Sequence, residues 1–143
     1  MKTLMTIAAA TLAFATPLLA ESHGAMGDAD AGEKGFKKCK SCHMIANGDE
    51  MIVKGGKTGP NLYGVIGRTA GTAEDFKYGD DLVAAGAAGL VWDEATLASY
   101  VADPKGFLQE KLDDSGAKSK MTFKLKKGGE DVAAYLASVV PAE

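Results

Sequence analysis

The fold is decided by five consecutive residues, Cys39-Lys40-Ser41-Cys42-His43. They contain both cysteines of the 143-residue chain and one of its two histidines. In the Cys-x-x-Cys-His spacing, two thiols can add to the vinyl groups of one haem while the imidazole binds its iron. The motif therefore predicts one haem c, covalently attached through Cys39 and Cys42, with His43 as an iron ligand.

The N-terminus carries an export signal. Lys2 is followed by an apolar run over residues 4–20, which ends in the small residue Ala20 before Glu21. This pattern is typical of a secretory signal peptide, so we expect cleavage of residues 1–20 and a mature domain of residues 21–143. A retained membrane anchor is the alternative, but the run is rich in alanine, is interrupted by Pro17 and is shorter than the ~20 strongly apolar residues that an anchor needs.

Three other uses of the cysteines are weaker. A thiol-disulfide oxidoreductase would need a βαβ unit around the motif, and no such pattern is visible. A structural zinc ion needs four ligands, and beyond the two cysteines the mature chain offers only His43 and His23. A disulfide between residues three positions apart would close too small a loop to stabilise the fold.

Composition limits the function classes. Without residues 1–20, the chain keeps 15 basic and 19 acidic side chains, a net charge of −4. This balance argues against a general nucleic-acid binder. The 18 glycines indicate a loop-rich chain, and no repeat or low-complexity tract is present.

Periodicity predicts three helices in an all-α chain. The first has Asp30 and Glu33 at its cap and N3 positions, and it continues through Phe36. Asp93 caps the second, which must end by Asp103 because a proline follows. The third runs from about residue 130 to Pro141 with its apolar residues at positions 132, 135, 136, 139 and 140.

The segment between residues 48 and 90 is predicted to be mostly loop, with one short helix near residues 82–85. So long a loop is unusual in a compact domain, which suggests that a cofactor supplies part of the core.

The sixth coordination position of the iron requires another ligand, and the mature chain has four methionines. Met44 follows His43 directly and cannot reach the opposite side, while Met26 lies near the terminus. Met51 remains within reach. Met121 lies in a non-periodic segment between lysines, which is unusual for a core methionine, and it is the favoured ligand.

The sequence resembles class I cytochromes c, and specifically the cytochrome c2 proteins of the bacterial periplasm, over residues 27–140. The resemblance implies the all-α class I cytochrome c fold, in which helices and long loops surround one covalently bound haem. The residues that carry it are Gly32, Phe36, Thr58-Gly59-Pro60-Asn61-Leu62, Gly67-Arg68, Trp92, Tyr100, Pro104, Lys120-Met121-Thr122-Phe123 and Tyr135-Leu136.

This resemblance implies roles for individual residues. His43 would be the proximal ligand, with its second ring nitrogen bonded to the carbonyl of Pro60, and Met121 would be the distal ligand. The other implied cofactor-binding residues are Arg68, Tyr78, Trp92, Tyr100 and Phe123. Of these, the first three would contact or neutralise the haem propionates, and the fourth would form a hydrogen bond near the methionine sulfur.

The resemblance also implies how the first and last helices pack, and it shows where this sequence departs from shorter relatives. Gly32 and Phe36 would lie where the first helix crosses the last at Val132 and Tyr135. Residues 44–57 and 106–119 are longer than in short mitochondrial-type cytochromes c. The second insertion lies just ahead of Met121 and leaves the path to it open.

A His/Met pair leaves no open coordination site, so it favours electron transfer over catalysis. We therefore expect an electron carrier and not an enzyme. The alternative is a peroxidase-like enzyme or gas-binding haem protein with a labile sixth ligand. A structural or adhesive exported protein would leave the haem motif without a role.

Charge is distributed unevenly. Residues 73–103 hold seven acids and one lysine, whereas residues 105–127 hold seven lysines and three acids, and another basic stretch surrounds the haem motif. These lysines are expected to form a ring that steers acidic redox partners. Its expected members are Lys38, Lys40, Lys105, Lys120, Lys124 and Lys126.

The resemblance implies a soluble periplasmic monomer that neither spans a membrane nor binds nucleic acid. Its electron donor would be a quinol:cytochrome c oxidoreductase. Its acceptor would be a photosynthetic reaction centre or a terminal cytochrome oxidase.

Overall fold

The computed structural model describes residues 26–140. The predicted signal peptide, residues 1–20, lies outside the described residues, as does the beginning of the predicted mature domain. Within them, helices and long connections dominate, with one small antiparallel hairpin. The elements are α1 (Ala29–Phe36), β1 (Ile45–Asn47), β2 (Glu50–Val53), α2 (Asp80–Ala87), α3 (Glu94–Ala102), α4 (Pro104–Leu112) and α5 (Gly129–Ser138).

Helix α1 begins earlier than expected. Its N-cap is Asp28, whose carboxylate accepts hydrogen bonds from the amides of Asp30 at 2.9 Å and Ala31 at 3.1 Å. The predicted cap at Asp30 is therefore wrong. Asp131 of α5 accepts the Asp28 amide at 2.9 Å, and this distant contact helps to hold Asp28 in the extended conformation that a cap requires.

Helices α1 and α5 cross as the resemblance implies. A Cβ atom at Gly32 would overlap the carbonyl oxygen of Asp131, so only glycine allows the two backbones to come so close. Beside this crossing, the rings of Phe36 and Tyr135 pack with their centroids 5.7 Å apart. These contacts hold α1 against α5.

Helix α3 has the predicted cap. The Asp93 carboxylate accepts the Thr96 amide at 2.7 Å, and the Thr96 hydroxyl accepts the Asp93 amide at 3.0 Å. At its other end, Asp103 both terminates α3 and caps α4, where its side chain accepts the Gly106 amide at 3.2 Å. Pro104 occupies the first turn of α4, a position that suits a residue without an amide proton.

Two elements differ from the predicted loops. Helix α4 was not expected, although its residue Leu108 is fully buried. The prediction of mostly loop from residue 48 was also wrong for residues 50–53, which form β2 and pair with β1 through a turn at Gly48, where φ is +57°. Helix α2 agrees with the short helix predicted near residues 82–85 and extends it on both sides.

Candidate functional site

The helices and long connections enclose a mostly apolar cavity of about 320 Å³. Its walls come from nearly every part of the described chain, including the loop that follows the Cys-x-x-Cys-His turn and the segment before α5. All ten residues predicted to hold a cofactor line it: Cys39, Cys42, His43, Pro60, Arg68, Tyr78, Trp92, Tyr100, Met121 and Phe123. The structure thus brings together side chains that are up to 84 positions apart in sequence.

His43 has one ring nitrogen occupied by the protein. Its Nδ1 lies 2.8 Å from the carbonyl oxygen of Pro60, which can only accept, so Nδ1 donates and Nε2 carries a lone pair. Burial lowers the pKa of His43, opposed by this hydrogen bond, and the imidazole is therefore neutral at pH 7. Gly59 allows this placement, because a Cβ atom there would overlap the ring.

The two cysteines are not joined by a disulfide, and they lie in different environments. Cys39 is partly buried, and burial raises its pKa, with the neighbouring Cys42 adding to the effect. Cys42 is exposed, and its pKa is lowered by hydrogen bonds from Thr58 and Ser41. The turn is held by the amides of Cys42 and His43, which both donate to the Cys39 carbonyl, at 3.1 and 2.9 Å.

The structure distinguishes among the four candidate methionines. Met121 is partly buried, packs against the core and lines the cavity. Met51 lies on β2 with about half of its surface exposed, and it does not line the cavity. Met26 is also largely exposed, and Met44 does not line the cavity either. Among the residues described, Met121 is therefore the only methionine that shares a cavity with His43.

Tyr100 reaches the methionine segment through Ser119. The Tyr100 hydroxyl and Ser119 Oγ lie 3.2 Å apart, and Ser119 Oγ accepts the Met121 amide, also at 3.2 Å. Burial raises the pKa of Tyr100, opposed by the Ser119 contact, so the phenol keeps its proton at neutral pH. Tyr100 is thus linked to the residues around Met121, and sequence reasoning did not assign Ser119 any role.

Arg68, which lines the cavity, is held in place by backbone carbonyl groups. Its guanidinium donates to the carbonyl oxygens of Asn61 at 3.1 Å and Tyr63 at 3.2 Å. Burial raises the pKa of Tyr78, while the Arg68 charge acts in the opposite direction. The Asn61 side chain bonds both backbone groups of Ala46, which ties β1 to this turn.

Aromatic packing supplies residues that the sequence analysis missed. Trp92 packs against Tyr100 at 5.0 Å and against Phe107 of α4 at 6.0 Å between ring centroids. Phe76 lines the cavity and packs edge-to-face on Tyr78 at 4.8 Å. Its proximity to Tyr78 in sequence was the only signal that could have indicated it.

The expected lysine ring is only partly gathered at the cavity. Lys38 and Lys120 line it, and so does Lys118, which was not singled out. Lys124 instead forms an ion pair with Asp103 at 2.8 Å. The other three expected members, Lys40, Lys105 and Lys126, are exposed but do not line the cavity.

Comparison with known proteins identifies the family. The chain is 63% identical to cytochrome c-551 of Roseobacter denitrificans over 139 residues, which cover 96% of this chain and 95% of that protein. It is 61% identical to cytochrome c2 of Rhodobacter capsulatus over 132 residues, which cover 92% of each. The chain belongs to the cytochrome c2 family. No family model matches it.

Solved structures agree with this assignment. The structure of cytochrome c2 from Rhodobacter capsulatus superposes with a TM-score of 0.79 at 66% identity, covering 80% of this chain and all of that one. Ferric cytochrome c-550 from Paracoccus versutus gives 0.77 at 56% identity, covering 80% of this chain and 99% of that one. The class I cytochrome c fold predicted from the sequence is confirmed.

Membership of the family establishes the type of activity. The protein is an electron carrier with covalently attached haem c, and it is not an enzyme. The side chains around the cavity fit such a group, because they provide two thiols, a neutral imidazole and a thioether within an apolar enclosure. Within residues 26–140, no helix is both long and apolar enough to cross a membrane.

Proposed function

We propose that the protein is a soluble periplasmic carrier of single electrons between membrane redox complexes, and that His43 and Met121 would bind its haem iron. The observation that carries this proposal is that both side chains line one cavity together with Cys39 and Cys42. When bound, the haem supplies an iron atom that gains and loses one electron.

The chain's own residues prepare this site in advance. Cys39 and Cys42 hold the group covalently, which keeps it in place in both redox states. The hydrogen bond to Pro60 fixes the orientation of the His43 ring, so Nε2 can bind the iron without a conformational search. Met121 supplies a thioether, and thioether ligation together with an apolar enclosure favours the reduced state.

Three side chains are proposed to contact or neutralise the propionates of the haem. Arg68, Tyr78 and Trp92 all line the cavity, and the charge of Arg68 can balance a buried carboxylate. Since the Tyr78 phenol is protonated, it can also donate a hydrogen bond there. These groups would keep negative charge inside the fold without leaving it unpaired.

The partners are proposed to be a quinol:cytochrome c oxidoreductase as donor and a photosynthetic reaction centre or terminal oxidase as acceptor. Lys38, Lys118 and Lys120 line the cavity, so positive charge lies where electrons would enter and leave. An acidic docking face would be steered to this region even though the mature chain is predicted to be acidic overall.

Ligation is tested with the variants Met121→Leu and Met51→Leu. The oxidised Met121→Leu protein should lose its weak sulfur-to-iron charge-transfer band, its reduction potential should fall, and its reduced form should bind carbon monoxide. Met51→Leu is the matched control and should change none of these, because Met51 lies outside the cavity.

Two results would contradict this assignment. Loss of the band in Met51→Leu but not in Met121→Leu would show that the wrong sulfur was chosen. Ready binding of carbon monoxide by the native reduced protein would indicate a labile sixth ligand and would favour the gas-binding alternative.

A further inference from the structure

The segment that carries Met121 lacks the usual means of holding a backbone in place. We call residues 118–124 the distal loop; they lie between the end of α4 and the start of α5. Among the described residues, none of these seven takes part in a backbone–backbone hydrogen bond, whereas Ala117 and Leu125 on either side both do. The position of the distal loop therefore depends on side chains.

One side chain that anchors the distal loop is the acidic residue Asp81, at the start of α2. The carboxylate of Asp81 accepts a hydrogen bond from the amide of Lys118 at 2.8 Å, across 37 positions of sequence. Close by, Lys120 Nζ donates to the carbonyl of Lys77 at 3.0 Å. Both links are charge-assisted, because the Asp81 carboxylate is an ionised acceptor and the Lys120 ammonium is an ionised donor. Of the two, only the Asp81 link holds a backbone amide of the distal loop.

Asp81 lies on a helix that is packed firmly against the rest of the protein. It lies in the first turn of α2, where the helix dipole favours a carboxylate. At the other end of α2, Gly86 is buried so close to the backbone of Ala70 that a Cβ atom would overlap the Ala70 carbonyl oxygen. The helix is thus fixed on the body of the protein, and Asp81 transmits that fixed position to the distal loop.

The two linked segments also form adjoining parts of one wall. Gly79 and Leu82 line the cavity from the α2 side, and Lys118 and Met121 line it from the distal loop. If the segments separated, the wall would open beside the Met121 side chain.

We propose that Asp81 is a positioning residue that keeps the distal loop closed over the cavity and so holds Met121 in place. This inference rests on the proposed ligation by Met121. Asp81 does not line the cavity, and it acts through the amide of Lys118.

The test compares three variants of the haem-loaded protein. Asp81→Ala removes the acceptor, and Asp81→Asn keeps an acceptor oxygen without the charge. Asp80→Ala removes the neighbouring acid of the same helix turn, whose side chain makes no hydrogen bond or ion pair with the described residues. Because both acids are in the first turn of α2, Asp80→Ala controls for the helix dipole.

Imidazole is the probe, because it can bind the oxidised iron only when the methionine leaves it. Losing one hydrogen bond should make imidazole bind about two- to tenfold faster in Asp81→Ala, while the sulfur-to-iron band at rest remains. Asp80→Ala should match the native rate, and Asp81→Asn should fall between the native protein and Asp81→Ala. Amide hydrogen exchange should also accelerate at Lys118 in Asp81→Ala.

The outcomes separate this inference from the proposed function. If Met121→Leu leaves the band intact, the ligand assignment fails, and the role of Asp81 fails with it. If Met121→Leu abolishes the band but Asp81→Ala accelerates imidazole no more than Asp80→Ala does, only the role of Asp81 is overturned. An Asp81→Asn protein as fast as Asp81→Ala would also refute a role through this hydrogen bond.

Discussion

Replacement of Gly32 by alanine tests the closest approach between α1 and α5. The added Cβ would overlap the Asp131 carbonyl oxygen and lie 2.5 Å from its carbon and 2.8 Å from Tyr135 Cβ. Carbon atoms in contact are normally about 3.5–4.0 Å apart, so the helices must separate by roughly 1 Å. Overpacking of this kind costs about 1–3 kcal/mol, and alanine returns about 1 kcal/mol of helix propensity. We expect a net loss of about 0–2 kcal/mol of unfolding free energy, centred near ~1 kcal/mol.

Gly35→Ala is the matched control in the same helix. Its Cβ would lie 3.2 Å from a methyl group of Val132, a side-chain atom that can shift by a few tenths of an ångström. It gains the same propensity with a much smaller clash. In thermal unfolding of the haem-loaded protein, followed by circular dichroism, Tm should fall by roughly 4 °C for Gly32→Ala, as ~1 kcal/mol gives in a domain of this size, and stay level or rise for Gly35→Ala. Equal Tm values for the two variants would refute the close crossing.

Two further predictions concern the cap of α3 and the surface of the cavity. Hydrogen bonds from Thr96 lower the pKa of Asp93, so this cap stabilises the fold above the unfolded pKa of the carboxyl, and its contribution is lost as pH falls below about 4. In urea titrations, Asp93→Ala should cost about 1 kcal/mol at pH 7 and less at pH 3, and a larger cost at pH 3 would contradict this. Lys118→Glu should slow association with an acidic membrane partner in stopped-flow measurements and weaken its salt dependence, since Lys118 lines the cavity. Lys111→Glu changes net charge equally away from the cavity, so equal effects of the two variants would indicate that only overall charge matters.

Local signals were sufficient where one short segment contains all the information. Helix α3 could be predicted because its cap and its apolar residues lie within ten positions of each other. Helix α4 was missed because Pro104 was taken only as the end of α3, although proline is also favoured at the start of a helix. The hairpin was missed because β2 is mostly exposed and shows no alternation of apolar and polar residues.

The cap of α1 shows where local reasoning fails. Asp28 and Asp30 are both acceptable caps by residue type, and the choice depends on the contact between the Asp28 amide and Asp131 of α5. That contact joins residues 103 positions apart. No pattern around Asp28 could have indicated it.

The sequence alone predicted the covalent attachment of the cofactor and one proposed iron ligand, because Cys39, Cys42 and His43 lie within five consecutive residues and need no distant partner. The choice between Met121 and Met51 was left open by reach along the chain, and tertiary structure distinguishes them by lining the cavity with only one. Tertiary structure also decides the role of Asp81. Its sequence position does not distinguish it from other acidic residues, and only folding brings the Lys118 amide to its carboxylate. Short-range covalent geometry can be read from the order of residues, whereas contacts between distant segments depend on how the whole chain packs.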